Sequence, residues 1–149
     1  MFAKMDIKLN TEALRYIAAL QEISGAEVVK DCIVNENSII YVVKQGQAGA
    51  AIGKKGTNVQ RLSTILGKKP HIVELNDDPV KFASNLISTV KVKSIVLKGG
   101  QEGDSGPKKI IIEVDQKSRG AILGKGGKNI DMIKDLLKRH HGIDDVIVR

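Results

Sequence analysis

Gly49-Ala50-Ala51-Ile52-Gly53-Lys54-Lys55-Gly56-Thr57-Asn58-Val59 is the segment that decides the fold, because it is written a second time 71 residues later. The second copy reads Gly120-Ala121-Ile122-Leu123-Gly124-Lys125-Gly126-Gly127-Lys128-Asn129-Ile130, and six of the eleven positions are identical. A repeat at a fixed offset indicates a duplicated structural unit. The chain is therefore predicted to contain two copies of one module, each built around a basic turn with a glycine at either end.

Hydrophobic periodicity around the first copy predicts a helix, two strands, a pair of helical pieces and a closing strand. The first helix is capped by Asn10 or Thr11 and ends at Gly25. The predicted strands cover residues 27–34, 38–43 and 71–75. The helix after the turn has an apolar face at helical spacing, made of Val59, Leu62, Ile65 and Leu66.

The second module repeats this order. Asp78 followed by Pro79 is a helix start with the cap and the first-turn proline in their preferred places, so the linker is short. Strands are predicted at 93–97 and 109–114, joined by a glycine-rich loop at 99–107 that we expect to be mobile. The apolar face of the second repeat helix consists of Ile130, Ile133, Leu136 and Leu137. The predicted domains are residues 1–76 and 77–149, and the predicted fold class is α+β.

The composition favours a polyanionic partner. The 149 residues include 24 Lys and Arg against 17 Asp and Glu, a net charge of +7. This excess suits nucleic acid or an anionic membrane surface, but no apolar run approaches the roughly 18 residues of a membrane span. Residues 1–6 do not resemble a signal peptide, and the single cysteine, Cys32, is expected to be packed inside a strand. We therefore expect a cytoplasmic monomer with no membrane partner.

The repeated G-x-x-G turn is the candidate functional site. A sharp turn that leads into a helix N-terminus presents unpaired backbone N–H groups and partial positive charge, which together bind phosphate. Glycines let the backbone approach the ligand closely, and the lysines between them add charge. The candidates to flank the path of a bound nucleic acid are Arg61, Lys117, Arg119 and Lys128. The candidate phosphate-binding residues of the two turns are Gly53, Lys54, Lys55 and Gly56, and Gly124, Lys125, Gly126 and Gly127.

Nucleotide hydrolysis is disfavoured by the spacing of the same segment. A phosphate-binding loop of the Walker type needs four residues between its glycines and a Ser or Thr after the lysine. Here three residues separate Gly49 from Gly53, and Lys54 is followed by Lys55. The three histidines have no cysteine or carboxylate at metal-ligand spacing, and no catalytic constellation stands out. We predict that the protein is not an enzyme and has no cofactor and no small-molecule substrate.

The αββααβ order with a G-K-x-G turn between the helices resembles the type II KH domain. The pattern occurs once in each module, so the resemblance covers nearly the whole chain. The segment 49–62, with Ile72-Val73-Glu74-Leu75-Asn76-Asp77-Asp78-Pro79 and Lys93-Ser94-Ile95-Val96-Leu97, is similar to the tandem KH region of the NusA transcription factors. The length is similar to that of the archaeal NusA-like proteins, which consist of the KH pair alone. Each domain would be a three-stranded sheet packed by helices.

This resemblance implies that nascent single-stranded RNA is the partner and that the process is transcription termination or antitermination. Contact with RNA polymerase stays open, because the polymerase-binding domain of bacterial NusA has no counterpart here. Aromatic residues are few, so the bases would lie against aliphatic residues such as Ala50, Ile52, Ile72, Ala121 and Leu123. A structural KH protein of the ribosome is the alternative.

Overall fold

The computed structural model describes residues 11–24, 29–87, 90–100, 103 and 106–149. The chain divides into two units, Met1–Leu75 and Asn76–Arg149. The described residues of each unit follow the same order: helix, two strands, helix, a three-residue 3₁₀ turn, helix, strand. Four of the nine residues of the predicted loop at 99–107 lie outside the described set, as do Asn10 and Gly25.

In the first unit a three-stranded sheet is covered by helices. The elements are α1 (Thr11–Ser24), β1 (Val29–Val34), β2 (Ser38–Val43), α2 (Ala48–Ile52), α3 (Thr57–Leu66) and β3 (Lys69–Glu74). The strand order is β1-β2-β3, in which β2 runs antiparallel to β1 and parallel to β3. The parallel pair is possible because the two helices α2 and α3 form the crossover between β2 and β3.

The second unit has the same topology. Its elements are α4 (Pro79–Leu86), β4 (Ser94–Lys98), β5 (Lys109–Glu113), α5 (Gln116–Leu123), α6 (Lys128–His141) and β6 (Asp145–Val148). The strand order is β4-β5-β6, with β5 antiparallel to β4 and parallel to β6. Asp78 caps α4 as predicted, since its Oδ1 accepts a hydrogen bond from the N–H of Val80 at 2.9 Å.

Alternate residues of the central strands point towards the helices. In the first unit Ile39, Tyr41 and Val43 join the core, and the Tyr41 hydroxyl donates to the backbone oxygen of Tyr16 at 2.8 Å. Cys32 belongs to the same core and is 3% exposed, as the sequence predicted. The second core buries Phe82, Ala83, Ile110, Ile112, Ile122, Ile133, Leu136 and Leu137 completely.

Two details of the first unit differ from the prediction. Ile65 was expected on the buried face of α3 but is 63% exposed, whereas Leu136 at the matching position of α6 is fully buried. The reason is length: α3 ends one residue later, while α6 continues for more than another turn. Strand β3 also begins at Lys69 and includes Pro70, which an edge strand tolerates because it lacks a neighbour on one side.

Candidate nucleic-acid interface

Both G-x-x-G turns have the same unusual backbone, which requires glycine at specific places. Gly53 has φ 81° and ψ 167°, a conformation that is essentially confined to glycine. Lys55 (φ 55°, ψ 30°) and Gly56 (φ 74°, ψ 17°) follow in the left-handed region. Lys55 is the one non-glycine residue with positive φ among the described residues. The first turn thus holds a lysine in a conformation that costs an L-residue about 1–2 kcal/mol.

The second turn repeats these angles. They explain why it can carry a glycine where the first turn carries its second lysine. Gly124 (φ 73°, ψ 170°) matches Gly53, and Gly127 (φ 75°, ψ 10°) matches Gly56. Gly126 occupies the place of Lys55 with φ 65° and ψ 20°. Glycine adopts this left-handed conformation without a steric penalty. The exchange therefore removes one positive charge and relieves backbone strain, but leaves the turn unchanged.

An asparagine fixes each turn against the helix that precedes it. A Cβ at Gly53 would lie 2.7 Å from Cγ of Asn58, and a Cβ at Gly124 would lie 2.5 Å from Cβ of Asn129. Asn58 Nδ2 donates to the oxygen of Ala50 at 3.2 Å. Through these contacts the two asparagines shape the junction between turn and helix.

Hydrogen bonds close each turn at the start of the helix that follows it. The N–H of Gly56 donates to the oxygen of Gly53 at 3.1 Å, and both the N–H and the hydroxyl of Thr57 donate to the oxygen of Lys54. In the second turn the N–H groups of Gly127 and Lys128 do the same. The segment Lys54–Gly56 directly precedes α3, so the turn leads into a helix N-terminus, where the first N–H groups can bind an anion.

The predicted cations of the first turn are available to a ligand. Lys54, Lys55 and Arg61 are all exposed, and none of them takes part in an ion pair within the described part of the chain. Lys125 and Lys128 are exposed in the second unit. All eight predicted residues of the two G-x-x-G turns lie in those turns. Arg61 lies on α3, the helix that follows the first of them.

Exposed and half-buried aliphatic residues lie beside both turns. Ala50 is exposed and Ile52 is half-buried at the end of α2, and Ala121 and Leu123 show the same pattern in α5. Between them Ala51 and Ile122 are fully buried. These buried residues anchor the helix ends, so that their neighbours face outward.

Sequence reasoning missed one carboxylate near the first turn. Glu74 at the end of β3 accepts a hydrogen bond from the N–H of Ala48 at 3.2 Å, at the start of α2. A carboxylate is stabilised at a helix N-terminus, and this contact ties α2 to the sheet. No local pattern points to it, because the two residues are 26 positions apart.

The described residues contain no group of three or more His, Cys, Asp or Glu that could hold a metal ion. Among the same residues, no helix combines the length and the apolar character that crossing a membrane requires.

Comparisons with known proteins agree with this geometry. A family model described as KH domain matches residues 14–98. A probable transcription termination protein NusA of Methanococcus vannielii is 34% identical over 145 residues, which cover 97% of this chain and 80% of that protein. The corresponding protein of Halobacterium salinarum strain R1 is 33% identical over 142 residues, 95% of this chain and 98% of its own. A crystal structure of a protein named APE1850 is 36% identical with a TM-score of 0.69, and the match covers 94% of this chain and 99% of the other.

The family match extends over more than half of the chain and includes the first turn, which defines the class as KH-domain proteins. Within that class, the similarity to the archaeal relatives covers 95% of this chain or more. The chain belongs to the archaeal NusA-like family.

Proposed function

We propose that this protein is a NusA-like transcription factor that binds nascent single-stranded RNA through two type II KH domains, residues 1–76 and 77–149. The observation that carries the proposal is the repeated turn, in which exposed lysines lie directly before the N-terminus of a helix. Relatives named as probable transcription termination proteins support a role in termination or antitermination. The protein acts by binding and has no catalytic step.

The second domain is proposed from internal likeness, because the family model ends at residue 98. Support comes from three features that the units share: element order, strand order and the angles of the G-x-x-G turn. The turn angles carry most weight, since they need glycine at equivalent positions and recur to within about ten degrees for the matched residues.

Single-stranded RNA suits the surface beside the turns. A KH domain clamps the backbone of about four nucleotides with its G-x-x-G loop. Exposed and half-buried aliphatic residues next to the turns offer an apolar surface for the bases. Tyr41 and Phe82 are fully buried, so they cannot stack on bases as the aromatic residues of other RNA-binding folds do.

The first experiment replaces the lysines of one turn. We expect Lys54→Asp with Lys55→Asp to weaken binding of a labelled single-stranded RNA about a hundredfold, at about tenfold for each lost charge-assisted contact. Aspartate tolerates the left-handed conformation at position 55, so the helical content should stay unchanged by circular dichroism. Anisotropy measured at several salt concentrations should also give a slope that is smaller by about 1.4, at about 0.7 for each phosphate.

The matched control carries the same change of charge outside the turns. Arg15→Asp with Lys81→Asp alters two exposed helical cations in α1 and α4, and RNA affinity should fall only slightly. Equal losses in both double variants would mean that net charge, rather than the turn, binds RNA. Association of the wild-type protein with ribosomal subunits instead of transcribing polymerase would favour the structural alternative.

A further inference from the structure

The helix that enters the second turn is longer than its counterpart in the first unit. Helix α2 has five residues, Ala48–Ile52, whereas α5 has eight, Gln116–Leu123. The two helices end at equivalent positions before their turns. The additional residues of α5 therefore lie at its N-terminal end and form almost one extra turn of helix.

The N-terminal part of α5 carries two cations that the first unit lacks, Lys117 within the added residues and Arg119 directly after them. Lys117 lies four residues before Ala121, and Arg119 lies four residues before Leu123. Residues at this spacing share a face of a helix, so Lys117 extends the side of α5 on which Ala121 lies, and Arg119 extends the side on which Leu123 lies. The corresponding positions of the first copy are Gly46 and Ala48, which carry no charge.

Both side chains are available for binding. Lys117 and Arg119 are exposed, and neither takes part in an ion pair among the described residues. The nearest acid in sequence, Asp115, lies 3.2 Å from Lys93 Nζ and is partly neutralised there.

The helix after the second turn is less favourable to phosphate than that of the first. Arg61 in α3 is matched by Met132 in α6, and Gln60 is matched by Asp131. Asp131 also lies three residues after Lys128, which places the carboxylate on the same side of α6 as that lysine. Positive charge thus moves from the helix that follows the turn in the first unit to the helix that precedes it in the second.

We propose that Lys117 and Arg119 are RNA-binding residues that hold phosphates on the entering side of the second turn, in place of the contacts that Lys55 and Arg61 make in the first. This inference rests on the proposed function, since it concerns the same single-stranded RNA. Its consequence is that the two turns neutralise the RNA backbone on opposite flanks.

The test measures binding of the full chain to a labelled, unstructured RNA of about ten nucleotides, slightly more than two KH domains hold at about four each. Lys117→Gln with Arg119→Gln should reduce the slope of log affinity against log salt by about 1.4, at about 0.7 per phosphate released. Arg15→Gln with Lys81→Gln, which removes two exposed cations from α1 and α4, should leave the slope unchanged.

The possible outcomes distinguish this inference from the proposed function. An unchanged slope in the Lys117 and Arg119 variant, while the Lys54 and Lys55 variant loses affinity, would overturn this inference and leave the proposed function standing. Failure of the wild-type protein to bind RNA in a salt-dependent way would overturn the proposed function itself. Melting temperatures should match the wild type, because both side chains are exposed, so a loss of slope cannot be attributed to unfolding.

Discussion

The glycines of one turn meet different steric demands at the scale of single residues. Gly53 combines a backbone that only glycine adopts readily with a close approach to Asn58, and a Cβ would lie 2.7 Å from Cγ of that asparagine. Gly56 is left-handed, but nothing lies within 4 Å of the place where its Cβ would be. The first glycine is therefore needed for space and conformation, and the second for conformation alone.

Alanine at these two positions should separate the two demands. We expect Gly53→Ala to lower the free energy of unfolding by about 2 kcal/mol or more, because strain and a steric clash add. Gly56→Ala should cost about 1 kcal/mol, since the left-handed penalty is partly offset by the lower entropy of the unfolded chain. Urea unfolding gives the free energy of unfolding of both variants, which alter the same unit. Equal losses of that free energy would contradict the steric argument.

At the scale of elements, the asparagines join the two helices of each helix-turn-helix segment. The last carbonyl groups of a helix have no partner within it, and the asparagine amide supplies one. Asn129 donates to the oxygens of Ala121 at 3.3 Å and Ile122 at 2.8 Å. Among the described hydrogen bonds, Asn58 donates only to the oxygen of Ala50. The end of α5 is thus held by one more hydrogen bond than the end of α2.

The difference in hydrogen bonds predicts unequal effects of two equivalent substitutions. Asn129→Ala should cost about 1 kcal/mol more than Asn58→Ala, at about 1 kcal/mol for each hydrogen bond lost. Hydrogen exchange of backbone amides next to each turn reports the two units separately. Protection should fall further at the end of α5 than at the end of α2, and the opposite order would refute the assignment.

At the scale of the whole molecule, the core of the first unit isolates the only thiol. Burial, followed by the neighbouring charge of Asp31, raises the pKa of Cys32 from 9.0 to about 12. Asp31 is itself buried, and its Oδ1 accepts the N–H of Cys32 at 2.8 Å. The thiol is therefore neutral in the folded protein at pH values where it would ionise in the unfolded chain.

Thiol chemistry should report unfolding of this core. At about pH 8 an aromatic disulfide reagent should react slowly with the folded protein and rapidly in urea, because the thiolate is the nucleophile. The raised pKa also means that the contribution of the neutral thiol to the free energy of unfolding is fully present below about pH 9. This contribution declines as the pH rises towards 12. Fast labelling of the folded protein at pH 8 would show that Cys32 is accessible and would contradict this description of the core.

Local chemistry made much of the architecture predictable from the sequence. The repeat located both turns, the strand-like run Ser38–Val43 gave strand β2 with its observed bounds, and Asp78 with Pro79 gave the start of α4. These features depend on backbone preferences and capping within a few residues. The candidate binding residues were predictable for the same reason, since a glycine turn before a helix is a local motif.

Only the tertiary structure decided which side chains of those elements are buried and which contacts join distant residues. Ile65 and Leu136 occupy equivalent positions with opposite exposure, and Glu74 reaches Ala48 across 26 positions. Pro70 lies within a strand because β3 pairs in parallel with β2 at the edge of the sheet. The sequence by itself determined the two turns and their charge, because these follow from local conformation. Burial depends on how many neighbours the rest of the fold brings to a site, and a short window of residues does not contain that information.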